Sequence, residues 1–372
     1  MHIAIVAEAY PIKGDPSFPF VQQLAYSLSN IGNKITVIAP QSITKNLIRR
    51  LPIKPKSSKD ISPEGNEITV LRPPIITFSN TKNPLLKRIT QQLLERAIRS
   101  GLKLSGRVDA VYCYFWHIGL LTARVCGNIP LFVQASECDI TVEPGMVKKK
   151  YLDKVKGVVC ASGKNLDESV KAGLTSVENC RVIVNGYRPD QFFPMNKIEQ
   201  RQKFGFPQNS FIIAFVGGFI ERKGIEELSS ALSRFNDVRS IFIGRGDHPP
   251  VCDGILFKGA VEHDKIVDYL NCADIFVLPT RAEGCCNAII EALACGLPVV
   301  SSNKIFNNEI LDETCSIRVN EMNIDEIYDA IKSLKNNPWR TKMLSDGAKN
   351  KAKSLTIDKR GSHIDSFIRE RL

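Results

Sequence analysis

The sequence alternates short apolar segments with stretches of helical periodicity almost from end to end. This alternation is typical of βα units, in which crossover helices join parallel strands. In the first half, strands are predicted at 2–7, 34–39, 109–114, 130–135, 157–162 and 181–185. In the second half, they are predicted at 211–218, 240–244, 255–259, 274–279 and 298–302. The chain is therefore predicted to belong to the α/β class, with parallel sheets.

The length of 372 residues is enough for two domains, at about 100–200 residues per domain. The polar stretch 185–210 between the two strand series contains proline and glycine, as linkers do. We predict two doubly wound, Rossmann-like domains facing a cleft, at 1–193 and 194–356. The amphipathic terminal helix 357–372 is expected to pack back on the first domain. The proline-interrupted segment 41–84 is predicted to be a long loop region.

The composition excludes several classes of protein. Apolar residues make up 43% and charged residues 24% of the chain, which excludes a disordered or fibrous protein. No run reaches the roughly 18 uncharged apolar residues of a membrane-spanning helix, and the N-terminus resembles a buried strand rather than a signal peptide. The eleven cysteines lack paired spacing, which favours reduced thiols. We expect a cytoplasmic protein.

The net charge of +11 is concentrated in residues 1–110, which hold sixteen Lys and Arg against seven Asp and Glu. Two basic clusters account for this: Lys45, Arg49, Arg50, Lys54, Lys56 and Lys59, and Lys82, Lys87, Arg88, Arg96, Arg99 and Lys103. A nucleic-acid patch, an anionic membrane surface or an ordinary solvated face would each produce such clusters. Apolar neighbours of the first cluster, from Leu47 to Ile53, resemble an interfacial segment. We expect peripheral attachment to the inner face of the membrane and no nucleic-acid partner.

The segment 280–301, directly after the predicted strand 274–279, is the most informative one. Gly284 permits close approach of the backbone, and the amides at the start of the following helix would bind an anion such as phosphate. Asn287 and Glu291 are four residues apart and share one face of that helix. Exposure explains a carboxylate poorly in an otherwise apolar helix, although a surface position remains the alternative reading.

A second segment joins a predicted strand to a helix through Gly217, Gly218, Arg222 and Lys223. Paired glycines let a ligand approach the backbone, and adjacent cations neutralise phosphates. A solvated pair of charges is the alternative. Because both segments follow strands of one doubly wound domain, where ligands bind at the carboxyl ends of strands, a ligand crevice is the better account.

These segments resemble the retaining glycosyltransferases of family 4, which are group 1 transferases with the GT-B fold of two Rossmann-like domains. The resemblance is carried by GGFIERKG (217–224), GRGD (244–247), the stretch 257–284, EGCCNAIIEALACGLPVVSS (283–302) and NGYRPDQFFP (185–194). It implies that Arg222 and Lys223 contact the diphosphate of a nucleotide-sugar and that Glu291 binds the ribose hydroxyls. It further implies that the sugar and the distal phosphate are held by Glu283, Gly284, Cys285, Cys286 and Asn287.

In this family the N-terminal domain holds the acceptor, and here the sequence departs from its relatives. Tyr112 and Tyr114 stand where relatives often carry His-x-His, and His117 follows three residues later. Glu137 and Asp139 lie in the place of a frequent His-Gly-Ser-Asp motif. His117 is a catalytic candidate or a helix-start histidine, and the two carboxylates are acceptor-side candidates or simple caps.

The resemblance implies transfer of a sugar from a UDP- or GDP-sugar to a hydroxyl of a glycan or lipid-linked acceptor. Retention of configuration is expected, with Glu283 the second catalytic candidate, in cell-surface polysaccharide or glycolipid synthesis. The sequence has no Asp-x-Asp, P-loop, HExxH, GxSxG or GxGxxG motif, so neither a metal nor another cofactor is expected. The alternatives are a nucleotide-sugar epimerase on the same fold and a catalytically silent nucleotide-sugar-binding subunit.

Overall fold

The computed structural model describes residues 1–12, 15, 17–48, 50–78, 83–142 and 144–372. The basic residues Arg49 and Lys82 lie outside the described residues. The chain divides into two compact units. The first unit comprises 1–161, 165–183 and 360–372, and the second comprises 162–164 and 184–359.

The first unit is built on a large parallel sheet. Its strands are β1 (His2–Val6), β2 (Lys34–Ile38), β3 (Gln41–Ser42), β4 (Ser57–Ile61), β5 (Glu67–Leu71), β6 (Pro74–Ile75), β7 (Ala110–Tyr114), β8 (Leu131–Ala135), β9 (Val155–Cys160) and β10 (Cys180–Val182). The order is β10-β9-β8-β7-β1-β2-β5-β4, and only β4 runs antiparallel to its neighbour. Strands β3 and β6 form a separate parallel pair.

Helices cover both faces of this sheet. They are α1 (Pro19–Asn30), α2 (Ile43–Ile48), α3 (Pro84–Ser105), α4 (Trp116–Ala123), α5 (Lys149–Leu152) and α6 (Gly163–Lys171). Alternate residues of β7 enter different cores, since Val111 and Cys113 lie in one cluster and Tyr112 in the other. This alternation follows from the two-residue period of a strand, and it explains why both faces are apolar.

The segment 41–78 is not the long loop that its prolines suggested. It contains β3 to β6 and the short helix α2. In β5, Ile68 and Val70 are buried, and the strand pairs with β2 inside the sheet. Most of the prolines fall between the elements, where they cost no ladder hydrogen bond, and Pro74 starts a two-residue strand. The loop prediction was wrong because prolines mark strand boundaries here.

The second unit has a six-stranded sheet that is parallel throughout. Its strands are β11 (Phe211–Val216), β12 (Val238–Ile243), β13 (Ile255–Gly259), β14 (Ile275–Leu278), β15 (Val299–Ser302) and β16 (Ser316–Val319). Its helices are α7 (Lys197–Phe204), α8 (Ile225–Leu232), α9 (Ile266–Leu270), α10 (Asn287–Ala294), α11 (Ile324–Asn336) and α12 (Pro338–Ala352). The order β13-β12-β11-β14-β15-β16 reverses between β11 and β14. Ligands of doubly wound sheets bind at such a switch point.

Residues 184–193 belong to the second unit, so the first unit ends earlier than the predicted boundary at 193. The Tyr187 amide donates to the Leu355 carbonyl at 3.0 Å, and the Ile357 amide donates to the Tyr187 carbonyl at 2.8 Å. Phe192 is 1% exposed and lies in the core of the second unit. The segment looked like a linker because it is polar, yet these bonds fix it to the second unit.

The terminal helix α13 (Ile357–Arg369) starts in the second unit and continues into the first. Its residues Ile364, Phe367 and Ile368 are fully buried in a core cluster of the first unit. All eleven cysteines are free thiols. Among the helices of the described residues, none combines the length and the hydropathy needed to span a bilayer.

Candidate functional site

The loops after β11 and β14 meet at the switch point of the second unit. The Arg281 amide donates to the Arg222 carbonyl at 2.8 Å, and Thr280 Oγ1 lies 3.2 Å from the same oxygen. Gly224 has a φ of 67°, and a Cβ there would collide with the carbonyl oxygen of Pro279. Only glycine therefore allows the two loops to approach so closely.

Glu283 and Lys223 form a buried ion pair between these loops. Lys223 Nζ donates to Glu283 Oε1, and their side chains are 13% and 12% exposed. Thr280 Oγ1 donates to the same carboxylate oxygen at 3.0 Å, and Arg222 Nη1 lies 3.3 Å from it. Burial lowers the pKa of Lys223, but its neighbours Cys286 and Glu283 together raise it above the ordinary value. Lys223 is therefore a cation at neutral pH.

The loop from Glu283 leads into α10, which begins at Asn287. Asn185 Nδ2 donates to Asn287 Oδ1 at 2.8 Å and to the Cys285 carbonyl at 3.4 Å, which fixes the start of the helix. Burial raises the pKa of the Cys286 thiol to about 11. Cys286 is thus a neutral packing residue rather than a thiolate nucleophile.

Glu291 lies one turn into α10 and is 7% exposed. His263 Nε2 lies 2.9 Å from Glu291 Oε1, and Gln191 Nε2 lies 3.1 Å from His263 Nδ1. His263 and Gln191 are not among the site residues expected from the sequence. Both stand inside segments that carry the resemblance, but only the tertiary fold shows that they reach Glu291.

The switch point therefore combines two cations, the N-terminus of α10 and two buried carboxylates. Arg222, Lys223 and the helix amides offer positive charge and donors to a diphosphate. Glu291 offers a diol the carboxylate oxygen that His263 does not contact, which can accept more than one hydrogen bond. Within the described part of the chain, no group of three His, Cys, Asp or Glu side chains is placed to hold a metal ion.

The first unit contains a cavity of about 280 Å³ at the carboxyl ends of β1 and β2. Its lining includes Tyr10, Asp15, Lys54, Arg72 and His117. Lys54 Nζ lies 2.8 Å from Asp15 Oδ2 and donates to the Tyr10 carbonyl at 3.2 Å, and both charged side chains are about nine-tenths buried. The sequence placed Lys54 in a basic surface cluster. That placement was wrong, because Asp15 holds Lys54 inside the fold.

The three candidates in the first unit occupy different surroundings. His117, the second residue of α4, is exposed and lines the cavity. Glu137 Oε1 accepts from the Trp116 amide at the start of α4 at 2.8 Å, and its Oε2 accepts from the neighbouring Ser136 amide at 2.9 Å. Burial raises the pKa of Glu137, and the donated hydrogen bonds oppose that shift. Asp139 is exposed. Glu137 thus satisfies the first backbone amide of α4 from outside the helix.

Three comparisons place these features among known proteins. Residues 210–337 match the family described as glycosyl transferases group 1. TuaC of Bacillus subtilis (strain 168), a protein assigned to teichuronic acid biosynthesis, is 27% identical over 328 residues, which cover 82% of this chain and 81% of TuaC.

Solved structures extend the likeness to the whole chain. Sucrose-phosphate synthase of Thermosynechococcus elongatus aligns with a TM-score of 0.76 at 18% identity, covering 99% of this chain and 98% of that one. HepE of Anabaena in complex with UDP aligns with a TM-score of 0.71 at 16% identity over all of both chains. At these identities the likeness establishes the fold alone, which is GT-B with two Rossmann-like units.

Proposed function

We propose that this chain, which is a group 1 glycosyltransferase, moves a sugar from a UDP- or GDP-sugar to a hydroxyl of a glycan or lipid-linked acceptor. The product would belong to a cell-surface polysaccharide or glycolipid. One observation carries the proposal: Arg222 and Lys223 meet the buried Glu283 at the switch point, beside the helix that carries Glu291.

The donor is proposed to bind with its diphosphate against Arg222, Lys223 and the amides of residues 284–287. Glu291 would accept hydrogen bonds from the ribose diol through the oxygen that His263 does not contact. HepE, a protein of the same fold, is solved in complex with UDP, which supports a nucleoside diphosphate as the ligand. Positive charge from the two cations and the helix end makes a divalent metal unnecessary in this scheme.

Transfer would break the bond between the anomeric carbon and the distal phosphate oxygen. The acceptor hydroxyl would form the new bond on the same face, and its proton would pass to the departing phosphate, which gives retention. Arg222 and Lys223 would stabilise the charge that develops on the diphosphate. Glu283 has one oxygen engaged by Lys223 and Thr280, and its other oxygen would bind a sugar hydroxyl.

The acceptor is proposed to bind in the cavity of the first unit, whose volume suits about one sugar unit. His117 lines this cavity and is the candidate to contact the reacting hydroxyl. Glu137 is proposed to hold the start of α4, and thus His117, rather than to touch the acceptor. Asp139 remains an acceptor-side candidate on an exposed loop.

Peripheral attachment to an anionic membrane surface is proposed for the region around α2. Leu47, Ile48 and Ile53 are 64%, 82% and 59% exposed. The exposed cations Lys45, Arg50 and Lys56 lie close to them in the chain. Each cation near such a surface contributes about 1 kcal/mol, and salt screens that attraction.

Vesicle sedimentation tests the attachment. The protein is expected to sediment with phosphatidylglycerol-containing vesicles at low salt and to be released at high salt. Reversing Lys45, Arg50 and Lys56 to glutamate should abolish sedimentation. Equal recovery with neutral and anionic vesicles would show that these residues form an ordinary solvated face.

Mass spectrometry tests the proposed reaction. The protein is incubated in EDTA with a panel of UDP- and GDP-sugars and lipid extracts, and transfer of one sugar to an acceptor is the expected result. A new nucleotide-sugar formed without acceptor would indicate an epimerase instead. Donor binding without turnover across the panel would indicate a silent binding subunit.

A further inference from the structure

Glu291 depends on a single protein side chain for its orientation. Its Oε1 lies 2.9 Å from His263 Nε2, and among the described residues no other side chain bonds to the carboxylate. The residue is 7% exposed, so water replaces that contact poorly. A buried carboxylate with one partner is held in place by that partner, and losing it leaves a costly unpaired charge.

His263 is itself held by side chains of the segment 184–193, which belongs to the second unit. Gln191 Nε2 lies 3.1 Å from His263 Nδ1, and the ring of the buried Phe192 meets the imidazole edge-on with centroids 5.4 Å apart. When the Gln191 amide donates to Nδ1, the imidazole proton sits on Nε2. That tautomer donates to Glu291, so Gln191, His263 and Glu291 form one directional chain.

We propose that His263 is a positioning residue for the donor: held by Gln191, it fixes Glu291 so that the free carboxylate oxygen meets the ribose diol. This inference rests on the proposed role of Glu291 in nucleotide-sugar binding. His263 itself does not touch the nucleotide in this scheme. His263 is therefore expected to affect the affinity only of ligands that carry the two ribose hydroxyls.

The charges around His263 also favour donation of a hydrogen bond from His263 to Glu291. Burial lowers the pKa of His263, but the hydrogen bond and the charge of Glu291 raise it above the ordinary value. Asp264 also raises this pKa, and Arg188 lowers it. The neutral imidazole in the tautomer described above also donates to Glu291, so the contact persists on both sides of the titration.

Calorimetry with matched ligands tests the proposal. Wild type, His263→Ala and His263→Gln are titrated with UDP, or with GDP if it binds more tightly, and with the 2′,3′-dideoxy form of the same nucleotide. His263→Ala should weaken binding of the ribose nucleotide about tenfold, the effect of losing a hydrogen bond to a charged group. Its affinity for the dideoxy nucleotide should not change, and His263→Gln should restore most of the loss because its amide donates.

Two further variants keep the result interpretable. Gln191→Met removes the donor to Nδ1 without touching Glu291, and it should weaken only the ribose nucleotide by several-fold. His363→Ala, at an exposed position on α13, is the matched control and should bind both nucleotides as wild type does. Circular dichroism and melting temperature show whether each variant folds.

Two outcomes would overturn the proposal, and they differ from each other. Equal losses for ribose and dideoxy nucleotides in His263→Ala and Gln191→Met would reduce His263 to general structural support. Equal affinities of wild type for the two nucleotides would instead remove Glu291 from the ribose, and the proposed donor geometry with it.

Discussion

The two units share a doubly wound architecture, yet each builds its candidate site in a different way. In the second unit, two contiguous segments after β11 and β14 supply Lys223 and Glu283, which meet directly. In the first unit, the cavity joins Asp15 to Lys54, which lies far along the chain in the segment before β4. Local motifs thus describe the second site well and the first site poorly.

Both sites contain a buried Lys–carboxylate pair, but the surroundings of the two lysines differ. Lys54 is bonded to Asp15 and to a backbone carbonyl, so its donors are directed into the fold. Lys223 lies beside Arg222, a glycine-rich loop and a helix N-terminus. We expect the first pair to serve stability and the second to serve ligand binding.

The largest expected effect is on stability in the first unit. Lys54→Met removes the charged partner of the buried Asp15 carboxylate, which keeps the Ser17 amide and hydroxyl as donors, and it should lower the free energy of unfolding by about 3–5 kcal/mol. Urea denaturation followed by circular dichroism measures the change. Lys59→Met, which breaks the exposed pair with Glu67, is the control and should cost less than about 1 kcal/mol. Similar losses for both variants would remove the structural role of the buried pair.

The next effect is on ligand binding in the second unit. Lys223→Met or Arg222→Ala removes a cation from the diphosphate and should weaken UDP or GDP binding by about 1.5–3 kcal/mol. Isothermal calorimetry measures the affinity. Lys203→Met, which breaks a surface pair with Asp268, should leave it unchanged. Wild-type affinity in both site variants would refute the diphosphate assignment.

A smaller effect is expected at Glu283, which is proposed to contact the sugar rather than the nucleotide. Glu283→Gln preserves side-chain volume and should lower kcat about tenfold with little change in KM, since the sugar contact matters most as the glycosidic bond stretches. The exposed Glu313→Gln serves as the control. A rise in KM with unchanged kcat would place Glu283 in ground-state binding only.

The smallest expected effect concerns the pH dependence of stability in the second unit. Burial lowers the pKa of His263, but Glu291 and Asp264 together raise it by more, so the folded value lies above the unfolded value of about 6.5. The stabilisation from the charged pair is fully present below about pH 6.5 and is lost as pH rises through the folded pKa. His263→Gln lacks this dependence, so its stability difference from wild type should shrink as pH rises. A stability difference that does not change with pH would contradict the ion pair between His263 and Glu291.

The sequence predicted what depends on local pattern. Apolar runs such as 211–218 and the helical spacing after them indicate a parallel α/β sheet, and that fold class is confirmed. The sequence did not predict the features that depend on contacts between residues far apart in the chain. Strand β4 forms by antiparallel pairing with β5, and Lys54 is buried because Asp15 lies against it. No local sequence pattern predicts either contact.

The candidate site shows the same division. The proximity of Lys223 and Glu283 follows from two neighbouring parallel strands, whose carboxyl ends share one edge. His263, in a short turn before α9, and Glu291 are 28 positions apart in the chain. Only the folded chain shows that they are in contact. The sequence left Glu137 as an acceptor-side candidate or a cap, because the backbone amides that it accepts from are visible only in the folded chain.

The switch point of the second unit is proposed to bind a nucleoside diphosphate without a metal. Calorimetric titration of the wild-type chain with UDP and with GDP, in EDTA, tests it most directly. One site per chain is expected for at least one of the two nucleotides, with affinity reduced in Lys223→Met and Glu291→Gln. Absence of binding to both nucleotides, or undiminished binding in both variants, would contradict it.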